Sequence, residues 1–184
     1  MIKIIDNIIP GYIQDHIFQL ITSQDPTQAC PLYYLNNLTE GNKNWDTNLN
    51  NEVGFGSNFF NNEKISPYGS PLLTPLYLLT VSQNLILRQI FQARVFFQIP
   101  NVCNKPIPQK PHIDLLDQDH YSMIYYATDT DGDTYFYNDK EGKDIIKQVS
   151  PKKGRMVFFK GNIWHSGSNT TKNLRIILNF NFLI

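Results

Sequence analysis

The hydrophobic pattern of the chain changes from helical to strand-like near residue 93, and this change constrains the fold more than any other feature. Beyond it, short segments rich in β-branched and aromatic residues alternate with Pro, Gly, Asp or Asn. The six segments are ARVFFQIP (93–100), YSMIYYAT (121–128), DTYFYND (133–139), IIKQVS (145–150), GRMVFF (154–159) and LRIILNFNF (174–182). Short strands at this spacing are typical of an antiparallel sandwich or barrel, including the jelly roll and the cupin barrel.

The preceding half of the chain has helical periodicity in two places. Residues 12–23 carry Ile and Leu at helical spacing, which predicts a short amphipathic helix. A wide apolar stripe from residue 75 to about residue 92 predicts a second, longer helix. Between them, residues 24–70 are rich in Asn, Gly and Ser, which predicts irregular structure with one or two short strands.

The last predicted strand indicates how these layers fit together. Successive side chains of a strand point to opposite faces. One face of this strand is wholly apolar, with Leu174, Ile176, Leu178, Phe180 and Phe182, and the other face is mixed, with Arg175, Ile177, Asn179 and Asn181. The apolar face requires a cover, and the two predicted helices can supply it. We therefore expect a mainly β fold with N-terminal helices (α+β), a jelly-roll or cupin-like barrel with helices packed on one sheet.

Length and charge limit the remaining organisation. The 184 residues suit a single domain, 1–184, with a helical and irregular scaffold at 1–92 and the barrel core at 93–184. Sixteen Lys+Arg balance sixteen Asp+Glu, which argues against a nucleic-acid or anionic membrane partner. Two cysteines are too few for a disulfide framework. With no signal-peptide pattern and no stretch long enough to span a bilayer, we expect a cytoplasmic location.

The mixed face of the last strand places Arg175 inside the predicted barrel. A buried guanidinium without an anionic partner is very costly, and no acidic residue lies on that strand. A bound carboxylate would satisfy Arg175 through a bidentate contact.

A candidate metal site lies upstream of Arg175. His112 and Asp114 are two residues apart, so in an extended segment both side chains point to the same side. Together with His165 they provide two imidazoles and one carboxylate, the facial triad of non-haem Fe(II) oxygenases, which leaves three coordination positions open. Two of these positions suit a bidentate 2-oxo acid and the third suits O2. The distant carboxylate of a five-carbon 2-oxo diacid would then extend toward Arg175.

The order His112-x-Asp114, His165, Arg175 resembles the Fe(II)/2-oxoglutarate-dependent oxygenases, particularly their prolyl 4-hydroxylase-like branch. MIYYAT resembles the family's strand after the metal loop, DGDTYFYND its Gly-aromatic strand, and PKKGRMVFFKGNIWHSG the lead-in to its distal histidine. The resemblance covers roughly residues 93–182 and implies a double-stranded β-helix. It also implies that Tyr126 contacts the remote carboxylate of 2-oxoglutarate.

Three further residues bear on the cosubstrate pocket. Asn179 points the same way as Arg175 and is a further candidate contact, with a simple core hydrogen bond as the open alternative. Some relatives carry a Tyr before the Pro of the first barrel strand, where this chain has Ile99 in QIPN, so we expect that contact to be absent. Arg175 replaces the Lys of collagen-type prolyl hydroxylases.

The resemblance implies an enzyme that uses Fe(II), 2-oxoglutarate and O2, and it leaves open whether ascorbate assists. The implied reaction hydroxylates an unactivated C–H bond and releases succinate and CO2. No side chain beyond the metal ligands is needed as a catalytic group. A protein or peptide and a small molecule both remain open as substrates, as does another oxidative outcome such as desaturation. Two alternatives lie outside this class: a cupin-type metal dioxygenase that does not use 2-oxoglutarate, and a non-catalytic jelly-roll binding protein.

Overall fold

Two antiparallel sheets and three helices make up the part of the protein described by the computed structural model, which comprises residues 1–25, 27, 29–35, 54–61, 63–102 and 104–184. The helices are α1 (Gly11–Thr22), α2 (Gly69–Leu72) and α3 (Thr74–Ser82). The strands are β1 (Ile2–Ile5), β2 (Tyr33–Leu35), β3 (Gly54–Asn61), β4 (Lys64–Ile65), β5 (Gln89–Gln98), β6 (Tyr121–Tyr126), β7 (Thr134–Tyr137), β8 (Ile145–Val149), β9 (Met156–Lys160), β10 (Trp164–Gly167) and β11 (Arg175–Leu183).

The strands form a large sheet and a small sheet. The large sheet has the order β1-β9-β6-β11-β5-β3-β2, with β4 paired to β3, and the small sheet has the order β10-β7-β8. Two isolated bridges, Pro108 with Ser168 and His112 with His165, attach residues 108–112 to the free side of β10. The predicted mainly β fold with helices on one sheet is confirmed, and the arrangement is a double-stranded β-helix.

The two faces of the large sheet have different covers. One face packs against the helices, where Ile17 and Ile21 of α1 and Leu76 of α3 join Leu178 and Phe180 of β11 in the main core. The other face meets the small sheet in a second cluster, which comprises Ile124, Tyr126, Phe136, Val149, Val157, Phe159 and Ile177. The alternation predicted for the last strand is therefore confirmed. Because Arg175 shares the face of Ile177, its side chain is held between the sheets.

The second helix is shorter than the sequence pattern predicted. It ends at Ser82, and residues 89–98, partly assigned to that helix, form β5 instead. Asn84 adopts a left-handed conformation with φ of 51°, and the N–H of Leu85 bonds the carbonyl of Thr80 at 2.9 Å. This bond closes the helix in the manner of a Schellman motif. The apolar stripe continues beyond the helix because Leu85 and Leu87 pack on the same core from an extended segment.

We expect Asn84→Val to destabilise the protein by about 1–2 kcal/mol, because a β-branched residue is disfavoured in the left-handed region. Asn84→Gly is the matched control, since glycine adopts this conformation freely. Urea denaturation of both variants measures the free energies of unfolding. Equal values for Asn84→Val and the wild type would contradict this account of the helix end.

Other predictions for the N-terminal half are confirmed in part. The first helix lies at Gly11–Thr22, close to its predicted position, whereas β1 was not predicted. The stretch 24–70 contains β2, β3 and β4, and its residues 26, 28, 36–53 and 62 lie outside the described residues. None of the helices within the described ranges combines the length and the apolarity needed to cross a membrane.

Candidate metal centre and cosubstrate pocket

Backbone pairing brings the two predicted histidine ligands together. His112 and His165 exchange both backbone hydrogen bonds, at 2.9 and 3.1 Å, as partners in an isolated antiparallel bridge. Residues paired in this way project their side chains to the same face, and the two imidazole rings lie 4.5 Å apart. Two histidines separated by more than fifty positions in the chain therefore meet because β10 pairs with the segment before the metal loop.

Asp114 completes the cluster. Its Oδ1 lies 3.7 Å from Nε2 of His112, and its Oδ2 lies 3.8 Å from Nε2 of His165. One ligand atom from each of the three residues lies within 4.8 Å of the others. The structure thus brings the three predicted ligands into one site, while their role as ligands remains a prediction.

The protonation of the histidines suits metal binding. Burial, with the neighbouring His165, lowers the pKa of His112 to about 4, so its imidazole is neutral at pH 7. The Nδ1 atom of His165 lies 3.1 Å from the carbonyl of Ile163, and Nδ1 of His112 lies 3.5 Å from that of Lys110. Protonation at Nδ1 leaves the Nε2 lone pairs facing Asp114, as metal-bound histidines require.

The carboxylate of Asp114 is held by polar side chains from three strands. Its Oδ2 accepts hydrogen bonds from Asn181 at 2.8 Å, Asn179 at 3.2 Å and Ser122 at 3.3 Å. Its Oδ1 accepts one from Nη2 of Arg94 at 2.9 Å. These contacts orient the carboxylate before any metal binds.

The environment keeps Asp114 ionised. Burial alone raises the pKa of this carboxyl, but its electrostatic interactions with His165, Arg94 and His112, together with the Asn181 hydrogen bond, hold it well below its ordinary value. A buried carboxylate beside two imidazoles is the donor set of the facial triad, so these residues fit a divalent iron.

Arg175 lies in the same cavity, held by neutral groups. Its side chain is 4% exposed, and its Nε donates to the carbonyl of Gly132 at 2.7 Å. Its Nη1 donates to Gln98 and its Nη2 to Thr134, both at 3.1 Å. Within the described residues, no carboxylate lies within 4.0 Å of this guanidinium. Burial accordingly lowers the pKa of Arg175.

Thr134 joins Arg175 to the predicted cosubstrate residue Tyr126. The hydroxyl of Tyr126 donates to Oγ1 of Thr134 at 2.7 Å, and Oγ1 also accepts from Arg175. These two hydrogen bonds use both lone pairs of the Thr134 oxygen. The hydroxyl proton of Thr134 is therefore available to a ligand in the cavity that Thr134 lines. Tyr126 is fully buried behind Thr134, and burial raises its pKa to about 12, so it stays neutral. Its predicted contact with 2-oxoglutarate stays a prediction.

One cavity of about 240 Å³ is lined both by the three candidate metal ligands and by Arg175. The guanidinium lies against Gly167, which is two residues along β10 from His165, a separation of roughly 7 Å in a strand. A five-carbon diacid has a comparable length. A buried cation without a carboxylate partner, at this separation from the metal ligands, fits the remote carboxylate of 2-oxoglutarate.

Several residues of the pocket were not identified from sequence. Gln98 lies opposite Arg175 in the pairing of β5 with β11, whereas its neighbour Ile99 is 56% exposed. Arg94 shares a face of β5 with Gln98, and neither residue was assigned a role from the sequence. The period of two in the predicted strand at 93–100 was the available signal, because it places Arg94 and Gln98 on one face. Asn179 faces the cavity as expected, although its amide donates to Asp114.

Fold and site together define a non-haem iron oxygenase. Residues 105–183 match the family model described as the 2OG-Fe(II) oxygenase superfamily. The matched residues include His112, Asp114, His165 and Arg175, and the match together with the His–Asp–His cluster identifies an enzyme that uses Fe(II) and 2-oxoglutarate. The match and the cluster set aside both the cupin dioxygenase that does not use 2-oxoglutarate and the non-catalytic jelly-roll protein.

Solved structures share the fold at low sequence identity. A viral collagen prolyl hydroxylase from Paramecium Bursaria Chlorella virus-1, in complex with 2OG, matches with a TM-score of 0.59 and 13% identity, over 100% of this chain and 96% of that chain. An oxidoreductase of the 2OG-Fe(II) oxygenase family from Burkholderia pseudomallei matches with a TM-score of 0.69 and 10% identity, over 98% of this chain and 84% of that chain. A prolyl-4-hydroxylase from Pseudomonas putida matches with a TM-score of 0.63 and 12% identity, over 100% of this chain and 92% of that chain. A comparison with curated protein sequences gives no significant match.

We expect Gly167→Ala to weaken 2-oxoglutarate binding by about tenfold, because small displacements in a binding site have large effects. The added Cβ would lie 3.1 Å from Nη2 and 3.3 Å from Cζ of Arg175, which is tight enough to displace the guanidinium. Metal affinity should stay unchanged, since the triad is not contacted. Calorimetric titration of the Zn(II)-loaded protein with 2-oxoglutarate provides the measurement.

Gly11→Ala is the matched control for this substitution, because a Cβ at Gly11 meets no atom within 4 Å. An affinity of Gly167→Ala equal to that of Gly11→Ala would show that 2-oxoglutarate does not depend on the position of Arg175.

Proposed function

We propose that the protein hydroxylates an unactivated C–H bond of a substrate and converts 2-oxoglutarate to succinate and CO2. The single observation that carries the proposal is Arg175, a buried guanidinium with no carboxylate partner among the described residues, in the cavity that also contains His112, Asp114 and His165. A dianion with a chelating end and a remote carboxylate satisfies both ends of this cavity.

In this proposal the chain's residues bind and orient. His112, Asp114 and His165 would hold Fe(II), and Arg175 with Thr134 would hold the far carboxylate of 2-oxoglutarate. The iron and the cosubstrate, when bound, supply the oxidative chemistry. Asp114 supports hydroxylation over halogenation because its carboxylate fills the position that a halide needs.

Four apolar side chains also line the cavity and help to exclude water from the reacting groups. They are Phe96, Leu115, Ile124 and Ile177. Exclusion of water prevents side reactions and strengthens the polar contacts inside the site. An aliphatic part of the substrate fits this lining.

We further propose that the protein belongs to the prolyl 4-hydroxylase-like branch. The motifs HID, MIYYAT and PKKGRMVFFKGNIWHSG support this assignment, and two of the similar solved structures are prolyl hydroxylases. The proposal covers both a residue of a protein and a small molecule as the oxidised substrate.

The test is a substrate-library screen with Fe(II), 2-oxoglutarate and O2. Succinate and the oxidised product are measured together by mass spectrometry, with isotopically labelled O2 as the oxygen source. We expect at least one library member to raise succinate formation and to gain one labelled oxygen atom. His165→Ala is the control for turnover that does not depend on the site.

Different results would contradict 2-oxoglutarate turnover and hydroxylation. Succinate formation equal to that of His165→Ala for every library member would contradict 2-oxoglutarate turnover at this site. A product that forms with succinate but gains no oxygen would contradict hydroxylation and indicate another outcome, such as desaturation.

A further inference from the structure

Arg94 is a second guanidinium in the cavity, and it lies beside the metal ligands. Its Nη2 donates to Oδ1 of Asp114 at 2.9 Å and to Oδ1 of Asn179 at 3.3 Å. Its Cζ lies 5.1 Å from the centre of the Phe96 ring on the same face of β5. The side chain is 22% exposed, so it is accessible from the cavity that it lines.

Among the described residues, Arg94 uses only a small part of its hydrogen-bonding capacity. A guanidinium has five N–H donors. The contacts with Asp114 and Asn179 both come from Nη2, and Nε is buried without a hydrogen-bond partner among the described residues. Leaving a buried charged donor unpaired is costly, so a ligand that pairs with it would gain affinity.

The charges of the loaded cavity do not balance. Three residues lining it carry a charge at pH 7 when the histidines are neutral, namely Arg94, Asp114 and Arg175. The charge of a divalent metal cancels that of the dianion 2-oxoglutarate, and the charge of Asp114 cancels that of one guanidinium. One positive charge remains, and Arg94 is the guanidinium that 2-oxoglutarate does not engage.

We propose that Arg94 binds a carboxylate of the substrate that is oxidised, so that this substrate is an aliphatic acid. The inference rests on the proposed function, because it assigns Arg175 to 2-oxoglutarate. A planar guanidinium binds carboxylates and phosphates in a bidentate manner. A single remaining positive charge matches a carboxylate, whereas a phosphate carries about −1.5 to −2 charges at pH 7. The apolar lining beside Arg94 receives the aliphatic part.

The competing explanation is that Arg94 only orients Asp114. In that case its removal would weaken metal binding and would affect acidic and neutral ligands equally. A role in recognition predicts instead that its removal selectively weakens the binding of acids.

The first experiment measures binding without turnover. The protein is loaded with Zn(II) and 2-oxoglutarate and titrated with aliphatic carboxylic acids, including free α-amino acids, and with short peptides that contain an internal Asp or Glu. Each probe is matched with its primary amide, which is Asn or Gln in the peptides. The two panels distinguish a free acid from an acidic residue of a protein.

We expect the bound acids of one panel to exceed their amides in affinity by about tenfold or more, as for a charge-assisted pair in a partly buried site. Arg94→Gln should reduce this preference to less than about threefold when it is measured at Zn(II) and 2-oxoglutarate concentrations that saturate the variant. Its Zn(II) affinity is also expected to fall, because Arg94 donates to Asp114. Arg94→Lys should keep part of the preference and provides a second variant if Arg94→Gln fails to fold. The exposed Arg88, as Arg88→Gln, is the matched control.

The second experiment follows the arginines by NMR. The chain has four arginines, so their Nε–H signals can be assigned by single substitutions. Addition of 2-oxoglutarate to the Zn(II) protein should shift the signal of Arg175, and addition of a bound acid should then shift that of Arg94. The matching amide should leave Arg94 unshifted.

The outcomes separate this inference from the proposed function. If no acid binds better than its amide, or if Arg94→Gln saturated with Zn(II) and 2-oxoglutarate binds the acid and the amide of each pair more weakly by the same factor, the inference is overturned. A shift of Arg175 on addition of 2-oxoglutarate in that case leaves the proposed function standing. If 2-oxoglutarate does not bind or shift Arg175, the proposed function fails first.

Discussion

Arg175→Leu is expected to raise the Kd for 2-oxoglutarate by one to several orders of magnitude while leaving metal binding intact. The substitution keeps the strand apolar but removes the cation that we propose as the partner of the cosubstrate's remote carboxylate. Removing one partner of a buried hydrogen-bonded charge pair typically costs about 2–5 kcal/mol. At roughly 1.4 kcal/mol per tenfold change, this cost corresponds to the expected loss of affinity.

Two further variants define the origin of the effect. Arg175→Lys should retain part of the affinity, because lysine supplies the charge without the planar fork. Arg88→Leu is the matched control, since Arg88 is exposed on the approach to β5. Calorimetry with the Zn(II)-loaded protein and the KM for 2-oxoglutarate in turnover provide independent readings. Binding by Arg175→Leu as tight as that of the wild type would exclude Arg175 as the cosubstrate's partner.

Alanine at His112, Asp114 or His165 is expected to abolish turnover and to reduce Fe(II) affinity by more than about 100-fold. Loss of an outer partner of a metal ligand typically costs 10–100-fold, and loss of a ligand itself should exceed that. The fold should persist, because the main core between the large sheet and the helices does not include these side chains. Anaerobic Fe(II) titration and succinate formation measure the two effects, and circular dichroism monitors the fold.

His16→Ala is the control for these variants, because His16 is exposed on α1. Wild-type metal affinity in any two of the three alanine variants would reject the triad. The identity of a metal found in purified protein does not decide the native one, since Zn, Ni, Co and Mn accept the same mixed nitrogen and oxygen ligands.

Local patterns of the sequence were sufficient for six of the barrel strands, although not for β10, and for the residues that the structure brings together in the candidate site. The strand period of two placed Arg175 on the face of Ile177, and the structure confirms this register. The spacing of His112 and Asp114 predicted that both face one site, because residues two apart in an extended segment point the same way. These features are readable because each depends on neighbours in the chain.

Long-range pairing placed the residues that surround Asp114 and Arg175. β5 pairs with β11 so that Gln98 lies opposite Arg175 and Arg94 lies opposite Asn179. The apolar spacing of residues 85–92 fits a helix as well as a strand. The left-handed Asn84 ends the helix, and pairing with β11 places the residues from Gln89 onward in a strand. A sequence pattern records which face a side chain occupies. Which side chains meet across that face depends on the register between strands that are distant in the chain, and here that register brought Arg94 to the metal ligand.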